Sequence, residues 1–214
     1  MAMAYLESVR RAFPRLRASA VAVATVMSLV AVVAAPSASS VLAQAPLPIA
    51  GLATVFPDDA SQWDVFDYDE ERAGELRLRF PGIGGRLGDI TQWTFRFGDV
   101  DGSVRPKVKG RDDVWEVRVG ADVAIVRTLF PGQYDEWNVT SGGERLVYAV
   151  RDFRLLEYWG LRGASDEEDY AVYTRFEGDW REWSVSDATA GEVPNAAVQL
   201  ALIWLPIYMR LTTF

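Results

Sequence analysis

The sequence predicts an all-β protein: an antiparallel meander of about eight to ten strands, rolled into a barrel or a curved sheet, followed by an apolar C-terminal helix or segment. Three observations carry this. First, a tryptophan followed two residues later by an apolar side chain recurs at Trp63, Trp93, Trp115, Trp137, Trp159 and Trp183, at about 22-residue spacing over most of the series. Second, each of these tryptophans opens a run of period two. In Trp115-Glu116-Val117-Arg118-Val119 the apolar residues share one face and the charges the other, as in a half-buried strand. Third, no stretch between residues 51 and 193 holds a 3.6-residue apolar period over a useful length.

Residues 1–45 read as an export leader. Arg10, Arg11, Arg15 and Arg17 precede an uncharged apolar run over residues 18–35, and Ala43-Gln44-Ala45 supplies a small-x-small cleavage site. Arg10-Arg11-Ala12-Phe13 resembles the core of twin-arginine signals, with Val9 and Pro14 departing from the pattern. Cleavage after Ala45 makes Pro46 the first residue of the mature chain. An uncleaved anchor is the alternative, because 18 apolar residues just span a bilayer. The expected location is the periplasm, the cell surface or the extracellular space.

Residues 46–193 form the expected meander. After each tryptophan strand comes a turn, such as Gly120-Ala121-Asp122 or Ser141-Gly142-Gly143. Glycine and aspartate tolerate the positive φ of tight hairpins. A second run follows, rich in β-branched and aromatic residues: Val123 to Arg127, Leu146 to Arg151, Tyr170 to Arg175. A phenylalanine recurs near the end of that run, at Phe80, Phe130, Phe153 and Phe176. One unit is therefore strand, turn, strand, turn. A meander of such units closes, splits into two sheets, or leaves edges that need cover. Propeller blades take about twice this length, and the chain holds too few units to close a ring of them.

Residues 194–214 are an apolar tail. No charge occurs from Ala196 to Met209. Asn195 is placed to cap a helix, and Pro206 to kink it. The run is expected to pack on the open face or mouth of the meander, with association of this segment with a membrane as the functional alternative.

Composition excludes several chemistries. The chain has no cysteine and no histidine, so no thiolate nucleophile, Ser-His-Asp triad, disulfide framework or N/S zinc site is available. No catalytic residue, metal or cofactor is assigned. With its four leader arginines and one acid set aside, the chain keeps 18 basic and 29 acidic residues, a charge of about −11. Such a body repels nucleic acid and anionic lipid.

The functional candidate is the tryptophan row. Trp115, Trp137, Trp159, Trp180 and Trp183 are expected to bind a saccharide or an apolar small ligand, because an indole offers a broad face and a polar N–H. Packing in the core is the competing role for residues that hold one slot in every unit. Trp180, outside the slot, is expected to be exposed. The leading expectation is an exported, non-enzymatic binding or structural protein. One alternative is a carboxylate-based glycoside hydrolase, since Glu116, Glu136, Glu157 and Glu182 recur beside the tryptophans and such enzymes need two facing acids. An envelope-associated β-barrel protein is another. Asp67-Tyr68-Asp69 and Asp99-Val100-Asp101 have the D-x-D spacing of calcium loops without the later glutamate, and the acidic run 166–169 reads as a solvated hairpin tip.

Overall fold

Twelve strands pair antiparallel, each with its neighbours in the chain, and the last pairs with the first to close a barrel. The computed structural model describes residues 43–82, 88–151, 156–162, 170–186 and 193–212. The run over residues 18–35, the run over 166–169, Phe153 and Phe214 lie outside them. The strands are β1 (Ile49–Phe56), β2 (Asp59–Asp67), β3 (Arg72–Phe80), β4 (Asp89–Phe97), β5 (Val100–Pro106), β6 (Val114–Val119), β7 (Asp122–Thr128), β8 (Glu136–Ser141), β9 (Glu144–Arg151), β10 (Tyr158–Leu161), β11 (Ala171–Phe176) and β12 (Asp179–Val185). One helix follows, α1 (Ala196–Thr212).

The strand count exceeds the expected eight to ten, and its origin is local. Counting from the first tryptophan misses β1, which carries none. That strand supplies the closure: Gly51, Leu52 and Ala53 pair with Ser184, Trp183 and Glu182 of β12. Closure removes both free edges that an open meander would expose.

Alternation places the side chains. On β6 the residues Trp115, Val117 and Val119 are buried inward while Glu116 and Arg118 face out. On β7 the inward set is Ala124, Val126 and Thr128. Across the outer face Arg105 stands directly opposite Glu116, the cross-strand ion-pair arrangement that favours a wet sheet face. Between β8 and β9, Ser141 pairs with Glu144 around Gly142 and Gly143, both at positive φ. That is the two-residue turn whose twist matches the flanking strands.

The helix lies in the lumen. Every residue from Ala196 to Met209 is buried, and a helix apolar on all sides needs neighbours on all sides. The sequence placed this segment on an open face or at the mouth. A twelve-strand barrel is too wide for its wall side chains alone to fill, whereas eight strands enclose a space that side chains do fill. A helix about 10 Å across takes up the difference. Its 17 residues span about 25 Å, close to the length of a seven-residue strand at about 3.3 Å per residue. The helix continues through Pro206, where a missing N–H costs one internal bond.

Both helix ends are fixed. The amide of Val198 donates to Asn195 Oδ1 at 3.0 Å, and Asn195 Nδ2 donates to Ser141 Oγ at 2.9 Å. Asn195 is therefore the cap the sequence suggested. Gln199, the one polar side chain in the buried apolar run, is clipped twice to Leu47. The Leu47 amide donates to Gln199 Oε1 at 2.6 Å, and Gln199 Nε2 donates to the Leu47 carbonyl at 2.8 Å. Gln44 belongs to the same cover: its amide donates to Asp122 Oδ2 at 2.8 Å, and its carbonyl accepts from Ala196 at 3.0 Å. Cleavage after Ala45 would remove both of those bonds. At the far end Arg210 stands 3.8 Å from Glu157, a cation in the last turn where the helix dipole favours it.

Candidate functional site

The tryptophan row faces the helix. Trp63, Trp93, Trp115, Trp137, Trp159 and Trp183 are between 0% and 2% exposed. Trp115 meets Trp204 and Tyr208 of α1 at centroid distances of 4.9 and 4.6 Å. The polar handle of each indole is engaged as well. Trp63, Trp93, Trp115, Trp137 and Trp183 donate Nε1–H to the carbonyl three residues earlier, on Ala60, Ile90, Asp112, Tyr134 and Trp180, at 2.8 to 2.9 Å. Trp159 departs from this and donates to Glu157 Oε1 at 3.3 Å. Each bond ties the entry of a strand to its own first turn. The slot therefore serves packing and local geometry, and Trp115, Trp137, Trp159 and Trp183 present no open face. The signal for this was in the sequence: one indole per unit, at one depth, is what a core layer needs. Trp180 is half-buried, edge-on to Trp63 at 6.0 Å, rather than freely exposed.

The recurring glutamates are spread around the wall and each meets an arginine. Glu116 accepts from Arg105 and Arg118, at 2.6 and 2.8 Å for the closest contacts, and these bonds hold its carboxyl down at about 2. Glu136 accepts from Arg162 at 3.1 Å through both oxygens. Glu182 lies 3.9 Å from Arg175. Burial raises Glu157 above the ordinary carboxylate value, against the pull of the Trp159 N–H and Arg210. Consecutive members sit two strands apart, about 10 Å. Glu116, Glu136 and Glu182 form an outer girdle of partly exposed ion pairs, each contributing little singly, whereas Glu157 meets Arg210 of the luminal helix.

An external groove crosses the closure. It has a volume of about 400 Å³ and is lined by Ala50, Gly51, Ala53, Phe66, Asp67, Glu70, Arg175, Glu182 and Ser184, among others. Small residues make it. Gly51 lets the two closing strands approach: a Cβ there would come within 2.7 Å of the Trp183 carbonyl oxygen. Glu70 on its border has φ +58, and no other non-glycine residue among those described takes a positive φ. Such a conformation is sparsely populated for a side chain of this kind. Sequence reading missed the groove, because its residues come from the first and last strands and share no local motif.

A second, shallower surface of about 820 Å³ lies over β4 to β6 and holds Lys107 and Lys109, the only lysines of the chain. The D-x-D segments resolve as turns. Asp67 Oδ1 accepts from the amides of Asp69 and Glu71 at 3.0 Å, and Asp101 pairs with Arg96 at 3.2 Å. Among the described residues no three acidic side chains converge as a cation site would require.

Comparison of the chain with family models, with curated proteins and with solved structures finds no match.

Proposed function

We propose that this chain is an exported, non-enzymatic binding or structural protein that works from the outside of a filled barrel, with the closure groove as a saccharide site. The observation that supports this reading most is the occupation of the lumen by α1. A barrel wider than eight strands leaves interior space beyond its wall side chains; here the protein's own helix takes that volume, which leaves the exterior for recognition.

The groove has the chemistry for a neutral polyol. Phe66 offers an apolar face. Asp67, Glu70 and Glu182 accept hydrogen bonds from hydroxyls, and Arg175 donates. Its volume falls within the range of small-ligand sites. Glu116 is held away from the protonated form that an acid catalyst needs near neutral pH, and Glu157, which burial raises, sits beside Arg210 and outside this groove.

A saccharide panel titrated against the isotope-labelled chain tests this reading. Amide shifts confined to Gly51, Ala53, Phe66 and Ser184, and abolished in Phe66→Ala, are the expected result. A panel that moves none of these amides counts against the site. Bond cleavage during the titration would restore the hydrolase.

A further inference from the structure

Eight large apolar side chains are exposed among the described residues, and seven of them lie at one end of the barrel. Val55 and Phe56 end β1, Phe80 ends β3, and Val108 follows β5. Phe130 follows β7, Val150 ends β9, and Phe176 ends β11. In an up-and-down barrel every odd strand ends at the same rim. All six hairpins of that rim therefore contribute, and four present a phenylalanine that is 49% to 54% exposed. Only Tyr68 belongs to the opposite rim, whose turns carry Asp69, Glu70, Glu71 and Asp99.

We propose that this phenylalanine rim is a membrane-docking surface, and that the barrel stands on a lipid bilayer with its aromatic rings in the headgroup region.

The arrangement selects a flat target. Neighbouring contributors are two strands, about 10 Å, apart, and they follow a closed circle. None of the grooves described above takes in these phenylalanines, and a closed barrel offers no edge for a partner strand. A flat surface suits contributors set around a closed ring. This rim also carries the exposed acids Asp58, Asp112, Asp135 and Glu177, and its mixture of charges suits a zwitterionic headgroup layer. The Arg79 and Arg175 guanidinium groups lie over the rings of Phe80 and Phe176 at 5.4 and 5.9 Å. Lys107 and Lys109 flank Val108 and form no ion pair among the described residues. Such side chains bury their stems and reach phosphate with their heads. The wall above the rim carries Glu75, Arg77, Arg96, Glu116 and Arg118 facing out, so the barrel rests on the bilayer and does not cross it. The apolar rings drive the contact, because the net acidic body gains nothing from anionic lipid.

The full chain is mixed with phosphatidylcholine vesicles. Because it has no cysteine, an environment-sensitive dye can be placed singly at Phe130→Cys on this rim and at Tyr68→Cys on the other. The dye at 130 should shift to the blue with vesicles and the dye at 68 should not. Each single Phe→Ser change at 56, 80 or 176 should weaken that shift by roughly tenfold in lipid concentration, with near-ultraviolet circular dichroism reporting an intact fold. A shift at 68 without one at 130 overturns the proposal, since another part of the chain then makes the contact. So does a lipid-independent dimer, lost in the serine variants, which would assign the rim to a second copy. The closure groove shares Arg175 with this rim but none of its phenylalanines, so failure of the serine variants here leaves saccharide binding standing, and failure there leaves this proposal standing.

Discussion

The indole of Trp115 lies 4.9 Å from that of Trp204, centroid to centroid and tilted by 57°, and so joins the start of β6 to the helix inside the barrel. Truncating the helix partner opens a void that the closed wall cannot collapse to fill. Trp204→Ala should lose about 3–5 kcal/mol of unfolding free energy, measured by urea denaturation with the slope unchanged. Trp204→Phe should cost less, because Trp204 Nε1 has no hydrogen-bond partner to lose among the described residues. Equal costs for the two variants would remove the packing argument.

Tyr148 is the second buried polar group without a visible use. Its ring packs on Trp159 at 5.7 Å, and its hydroxyl is fully buried with no hydrogen-bond partner among the described residues. A desolvated, unpaired hydroxyl costs more than a ring hydrogen of the same shape. Tyr148→Phe should therefore be neutral or stabilising by about 1 kcal/mol. A clear loss of melting temperature would mean that the hydroxyl has a partner in solution.

The two-way clip between Gln199 and Leu47 gives a sharper expectation. Gln199→Leu keeps the bulk but strands the part-buried amide of Leu47, while the Leu47 carbonyl keeps its bond from the Ile49 amide at 2.8 Å. It should cost about 1–3 kcal/mol, the desolvation penalty of one unpaired donor. Amide exchange should rise at Leu47 and Val198 before it rises at the centre of the wall. Uniform exchange across the barrel would contradict a local clip.

Acid should remove one part of the outer girdle in a defined window. Arg118 and Arg105 hold the Glu116 carboxyl at about 2 against an ordinary 4.5. The folded value lies below the unfolded one. The contribution is therefore complete above about 4.5 and is lost as pH falls through about 2. The gap in melting temperature between the native chain and Glu116→Gln should be constant in neutral solution and close on acidification. A gap that persists at pH 2 would show that shape, and not charge, is what the glutamine fails to replace.

The strand pattern was legible because period and charge agree: Trp115 to Val119 alternates without exception, and glycines mark the turns. The cap at Asn195 was legible for the same local reason. What the sequence hid was long-range. β1 pairs with β12 across most of the chain, and neither strand carries a mark of the other. The apolar run from Ala196 to Met209 reads alike whether it lies on a sheet or within one; only the width of a closed ring places it in the lumen. The recurring Phe80, Phe130 and Phe176 were visible as a periodicity, yet their common rim follows from closure. The tryptophans suggested both packing and recognition, and the indole bonds to Ala60, Ile90 and the equivalent carbonyls assign them to packing.

Whether the chain fills its own barrel decides everything said about its surface, and the contact of Trp115 with Tyr208 reports on it most directly. With the aromatic rings selectively labelled, nuclear Overhauser effects should link Trp115 to both Trp204 and Tyr208, whose centroids lie 4.9 and 4.6 Å away. Amides from Val198 to Tyr208 should exchange only with global unfolding. Missing cross-peaks together with fast exchange along α1 would place the helix outside, open the lumen to ligands, and contradict the account.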